Sequence, residues 1–132
     1  MDKKTLIEFL LHQAEDDFGA AEALLKAGYF AQSLFWGHLV LEKLLKALWI
    51  YRNDDENYPH IHNLLRLLKE CNIEPNDKQI ILFAEMNQFQ ATGRYCDTLL
   101  KLESTVSKET CSSLFFEIEK QIIWIKGQMG KK

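Results

Sequence analysis

Little in this sequence interrupts a helix. Two prolines, Pro59 and Pro75, and six glycines are all that 132 residues contain, and nearly all are expected to fall between stretches of helical period, which points to an α-bundle. Cysteine is scarce as well. Cys71, Cys96 and Cys111 are odd in number, widely spaced and without a Cys-x-x-Cys pair, which argues against a disulfide framework or a thiolate zinc site and suits small thiols in a reducing cytosol. There is no excess of basic residues: the net charge is −3 and the pI about 5.8. That argues against nucleic-acid binding by bulk electrostatics, which needs clustered Lys and Arg, and leaves a local basic patch open. No apolar run approaches the roughly 18 residues of a membrane span. The start Met1-Asp2-Lys3-Lys4 leads into charged amphipathic sequence rather than a signal-peptide run, so a cytoplasmic protein away from the membrane is expected. No internal repeat, low-complexity tract or glycine-rich phosphate loop is present, and no Ser-His-Asp or paired-carboxylate spacing is diagnostic.

What is there is helical period. From about Lys3 to Ala27, Ile7, Leu10, Leu11, Ala14, Phe18, Ala21, Leu24 and Leu25 recur every three or four residues, with Glu8, His12, Glu15, Glu22 and Lys26 as the wet face. Gly28 is suited to a left-handed stop. The segment from about Tyr29 to Arg52 is apolar almost all round, as expected of a central helix or one lining an interface. An acidic loop, Asp54 to Pro59, follows. A short helix is expected from about Ile61 to Cys71. A fourth opens at the capping box of Asn76 and Gln79 and runs to about Ala91, breaking at Thr92-Gly93. The last has Ser107 as N-cap and a stripe of Cys111, Leu114, Phe115, Ile118, Ile122, Ile125 and Met129. The prediction is therefore an all-α, up-and-down bundle of about five helices forming one domain over 1–132, with its core at about 5–127. With 47% hydrophobic residues, a chain of this length can bury such a core unaided.

Several polar residues break the pattern. At 100° per residue Asp17 falls inside the apolar arc of the first helix, whereas Asp16 points to water. Buried, Asp17 must be paired, either structurally between helices or as a catalytic or ligand-binding acid, and Lys46, Arg94 and His62 are its candidate partners in that order. His38, Glu42 and Lys46 stand four residues apart on the second helix, flanked by Phe35 and Trp49. They read either as a salt-bridged stripe or as a wet interface or groove. His60 and His62 invite a metal, but no further ligand stands at a recognisable spacing, so His62 is expected instead to hydrogen-bond at a helix start. Arg94 and Tyr95, after the Thr92-Gly93 break, could bind phosphate or stack on a base, or Arg94 could pair with a buried acid.

Taken together these residues resemble the HEPN domain family. The resemblance runs from Asp17-Phe18 and Ala21 through Leu24-Leu25, Gly28-Tyr29 and the segment His38 to Leu48, then His62-Asn63-Leu64 and Arg94-Tyr95, covering roughly residues 5 to 127. Its most specific element is Glu-Lys-x-x-Lys-Ala, Glu42 to Ala47, followed by His-x-Leu. The resemblance implies a helical bundle that tends to dimerise, similar to the substrate-binding helical domain of nucleotidyltransferases. It also implies a partner: small stand-alone members often sit beside a minimal nucleotidyltransferase, in toxin–antitoxin-like pairs. Many relatives are metal-independent ribonucleases with an Arg-x(4–6)-His motif at a dimer cleft. Here no histidine follows Arg94, and the nearest approach, Arg52 to His60, has seven intervening residues.

The expectation is thus a non-catalytic HEPN bundle that forms a homodimer, built from the second helix and the segment around Arg94. It would bind a nucleotidyltransferase partner or a nucleotide through Asp17, His38, Glu42, Lys46, His62, Arg94 and Tyr95, with no cofactor or metal. The alternative is a ribonuclease toxin with a rearranged site, using Arg94 with His62 or His38 on RNA. A plain scaffold module is a third reading.

Overall fold

The Asp2 carboxylate accepts from the backbone N–H of Thr5 at 2.7 Å, which satisfies one of the free donors of a first helical turn and starts α1, Lys3–Ala27. Gly28 ends it at φ 90°, where a side chain would be strained, and the N–H groups of Gly28 and Tyr29 return to Leu25 and Leu24. The computed structural model describes residues 1–91, 101 and 103–130. The other helices are α2, Phe30–Asn53, α3, Leu64–Glu70, α4, Asp77–Asn87, and α5, Lys108–Gln128; a 3₁₀ turn, Gln88–Ala91, extends α4. No strand occurs among the described residues.

The expected caps at Asn76 and Ser107 are both formed. Asn76 and Gln79 exchange side-chain and backbone bonds in a full capping box, and Ser107 accepts from Thr110 N–H. Three expectations need correction. The third helix starts at Leu64 rather than Ile61, because the Asn63 side chain accepts from the N–H groups of both Leu65 and Arg66 and takes the capping role expected of His62. The fourth helix tightens to 3₁₀ after Asn87 instead of continuing as α-helix; the buried Phe89 sits in that turn. Finally, glycines are not confined to the breaks: Gly19, Gly37 and Gly127 lie within helices. Gly37 has a packing reason, since a Cβ there would lie 2.9 Å from Ile118 Cδ1, so its absence lets α2 and α5 approach.

Helix α2 is the centre, as its all-round apolar sequence implies. It packs against α1, α5, α3, α4 and the 3₁₀ turn, and Leu34, Leu41, Leu45 and Leu48 have no exposed surface. Ser33 Oγ donates to the Ala21 carbonyl at 2.7 Å, a buried polar link between α1 and α2. The helices around α2 are less closely joined to one another; α1 and α5 touch only sparsely. Among the described residues no helix is long and apolar enough to cross a membrane.

Candidate functional site

One side of α2 carries His38, Glu42 and Lys46, and all three are buried within the single chain. They form the salt-bridged stripe, with Glu42 paired to Lys46, but a buried one, and not the wet interface of the other reading. The chain connecting α2 to α3 lies over them and brings Tyr58 and His62 onto the same residues. Nor does Trp49 stand free beside them, for it is half-buried against the protein's own core.

Glu42 is the node. Its Oε2 accepts from Lys46 Nζ at 2.9 Å, and its Oε1 lies 3.1 Å from His62 Nδ1 and 3.7 Å from His38 Nδ1. A carboxylate only accepts, so the short contact requires His62 to carry its proton on Nδ1. In the neutral ring Nε2 is then the acceptor, on a side chain 48% exposed. Buried carboxylate, buried ammonium and half-exposed imidazole thus form one charge-compensated unit, the arrangement a buried charge needs.

The surroundings hold this unit in place. Asn87, at the end of α4, accepts from Leu64 N–H at 2.9 Å and donates to the Asn63 side chain at 3.1 Å, clamping the start of α3 next to His62. Lys46 Nζ lies 5.6 Å from the centre of the Tyr58 ring, within cation–π range. The rings of Tyr58 and His60 are 5.0 Å apart. His38 is enclosed, and its Nε2 has no hydrogen-bond partner among the described residues. Burial lowers its pKa, against a weaker upward pull from the Glu42 charge, and favours the neutral ring.

Asp17 is buried, as its helical phase requires, and Asp16 is exposed. The partner is a correction. Asp17 Oδ2 accepts from Lys43 Nζ at 2.6 Å, not from Lys46 or His62. Neighbours on a helix point about 100° apart; Lys43 therefore faces α1, whereas Glu42 and Lys46 face the α2–α3 connection. Asp17 is an inter-helix tie and stands apart from the Glu42 node. Arg94 and Tyr95, like the Thr92-Gly93 break and Cys96, lie outside the described residues. Sequence reasoning missed Lys43, Tyr58 and Asn87. Only Lys43 carried a signal, because it sits inside the Glu-Lys-x-x-Lys-Ala element itself.

Chemically, the node offers an exposed imidazole nitrogen oriented by a buried carboxylate, a cation held behind an aromatic ring, and two adjacent rings at the surface. It has no cluster suited to a metal ion among the described residues. The two described cysteines are buried; burial pushes the Cys71 thiol up to about 12 and raises Cys111 as well, so neither supplies a ready thiolate.

Against families of known proteins, the model of the HEPN domain matches residues 7–128. Neither a curated protein nor a solved structure matches the chain.

Proposed function

This chain belongs to the HEPN domain family, and from that membership we propose that it is a non-catalytic HEPN bundle that dimerises and binds a nucleotidyltransferase partner or a nucleotide, as one half of a toxin–antitoxin-like pair. The observation that carries the reading is the Glu42 node. Its carboxylate already engages both Lys46 and His62, so the charged groups of α2 serve to hold a surface rather than to wait for a substrate. In this reading His38, Glu42 and Lys46 support the site from within, while Asp17 holds α1 to α2 through Lys43. His62 Nε2 and the Tyr58–His60 ring pair meet a nucleotide base or a partner side chain, and Arg94 and Tyr95 supply further contacts. The absence of an Arg-x(4–6)-His pair from the sequence supports a binding role, since no general base and phosphate-binding cation stand together at the family's spacing.

Dimerisation has support at a different place from the one expected. Ile81 on α4 is 69% exposed beside Trp124 of α5, and the same shallow surface carries Lys78 and Lys120 together with Glu85 and Glu117. A patch with both signs of charge around an apolar centre can complement its own copy across a two-fold axis.

The test is titration of the full chain with ATP in the absence of metal, followed by calorimetry, with His62→Ala as the variant. Saturable binding that weakens about tenfold in the variant is expected. A small nucleotidyltransferase encoded in the neighbouring reading frame, copurifying with the chain, would support the partner reading over a plain scaffold.

The second reading, a metal-independent ribonuclease with a rearranged site, is favoured by one feature. A carboxylate on Nδ1 and a free Nε2 is the arrangement that prepares a histidine to take a proton. Incubation with total RNA without metal separates the two: cleavage abolished by Arg94→Ala or His62→Ala would replace the binding reading with this one.

A further inference from the structure

A second surface lies on the other side of α2, about half a turn around that helix from Glu42. Because α1 and α5 flank α2 and barely meet, a groove of about 290 Å³ remains between them, floored by Val40 and Leu44 and walled by Leu11, Phe18, Ile122 and Ile123. Phe18 and Phe115 close one end with rings 5.0 Å apart. Along each wall the lining runs over seven residue steps, Leu11 to Phe18 and Glu119 to Lys126, or about 10 Å at the α-helical rise. That is two turns of a helix.

The two lips differ. On α5, Ile123 lines the groove and is 73% exposed; Phe116, one heptad before it, is 58% exposed, with Lys120 Nζ 4.7 Å from its ring centre. On α1, Glu15 lines the groove, and Glu8 and Glu22, one heptad to either side of it, continue the row beyond the groove's ends; all three are exposed. Glu22 is loosely paired with Lys26 at 3.9 Å. Across the groove Glu119 adds a further carboxylate, and among the described residues Lys126 is the one cation of the lining. Apolar positions beside a heptad row of one charge are what sets partner choice in packed helices.

We propose that this groove is the docking site for one amphipathic helix of a partner protein, with its apolar stripe on Leu11, Phe18, Ile122 and Ile123 and lysines or arginines facing Glu15 and, past the ends of the groove, Glu8 and Glu22. A second copy of this chain is the poorer occupant. A two-fold axis running across the groove would set its acidic lip against an acidic lip, in a chain whose net charge is already −3, and like charges facing each other oppose association. The inference stands apart from the nucleotide reading, which concerns the opposite side of α2.

The test uses two labelled synthetic helices of about 21 residues, both with leucine at heptad positions a and d. One carries arginine at e and g and the other glutamate. Fluorescence anisotropy with the full chain should show the arginine peptide binding at least about tenfold more tightly than its acidic twin. Ile123→Asp and Phe116→Asp, both at exposed sites and checked for helicity by circular dichroism, should each weaken it by a similar factor. The triple variant Glu8→Lys, Glu15→Lys, Glu22→Lys should reverse the preference. Equal binding of the two peptides, an unchanged preference in the triple variant, or conversion of a dimer to a monomer by Ile123→Asp would each overturn the proposal; the last would assign the groove to a second copy.

Discussion

Asp17 and His38 show how a buried polar residue is tolerated in two different ways. Asp17 is neutralised by Lys43 at 2.6 Å, and its removal strands an ammonium that keeps 22% of its side-chain surface. Water can reach that cation, so Asp17→Ala is expected to cost about 2–3 kcal/mol, below the range for a fully enclosed pair. Urea unfolding measures it, and a cost under about 0.5 kcal/mol would show that the tie carries no stability. His38 is held in its neutral form instead. Its folded pKa lies below the ordinary value of 6.5 because burial outweighs the Glu42 charge, so the unfolded chain binds the proton more readily than the folded one. Stability is therefore complete above about pH 6.5 and declines below it, until the folded ring itself protonates. Glu42, His62 and Asn87 face this ring, and carboxylates elsewhere add their own acid response. The readout is accordingly a difference: between about pH 7.5 and 5 the Tm of the native chain should fall more than that of His38→Gln. Parallel falls would remove His38 as the cause. That Asp17 must be buried was legible from helical phase. That Lys43 is its partner was not, because phase gives a direction on one helix and says nothing about which residue of another helix arrives there.

At the level of the helices, the ends are local and the contacts are not. Gly28, Asn76 and Ser107 stop or start helices through bonds within four residues, and short-range chemistry of that kind reads directly from sequence. The start of α3 depends instead on Asn63 together with Asn87, 24 residues away, and sequence placed it at Ile61. Gly37 is of the second kind too. It sits inside α2, where glycine costs about 1 kcal/mol relative to alanine, and it is explained only by Ile118, whose Cδ1 occupies the space a Cβ would need. Gly37→Val is expected to destabilise by about 1–3 kcal/mol as the branched side chain pushes on α5. Gly37→Ala should fall within about 1 kcal/mol of the native chain, because the gain in helix propensity offsets displacement of one methyl group. Chemical denaturation of both variants checks the pair. Equal stability of Gly37→Val and Gly37→Ala would mean that the close approach of α2 and α5 does not constrain this position.

For the whole molecule, α2 at the centre with other helices packed around it leaves two unlike surfaces: the mixed-charge patch of α4 and α5, and the acidic-lipped groove of α1 and α5. Sedimentation at micromolar concentration is expected to show a homodimer, and Ile81→Glu, at a position 69% exposed, is expected to yield monomers with unchanged helicity. A native monomer, or a dimer indifferent to Ile81→Glu, would remove that patch as the contact. The all-α class, the central place of the second helix, three of the caps and the burial of Asp17 were determined by sequence alone, because period, capping and phase act over a few residues. The enclosure of His38, Glu42 and Lys46, the coupling of His62 to Glu42, and the open groove on the far side of α2 were decided only by tertiary structure. A stripe at positions 38, 42 and 46 has the same spacing whether water, another protein or the chain's own α2–α3 connection lies over it, and only the path of that connection distinguishes the three.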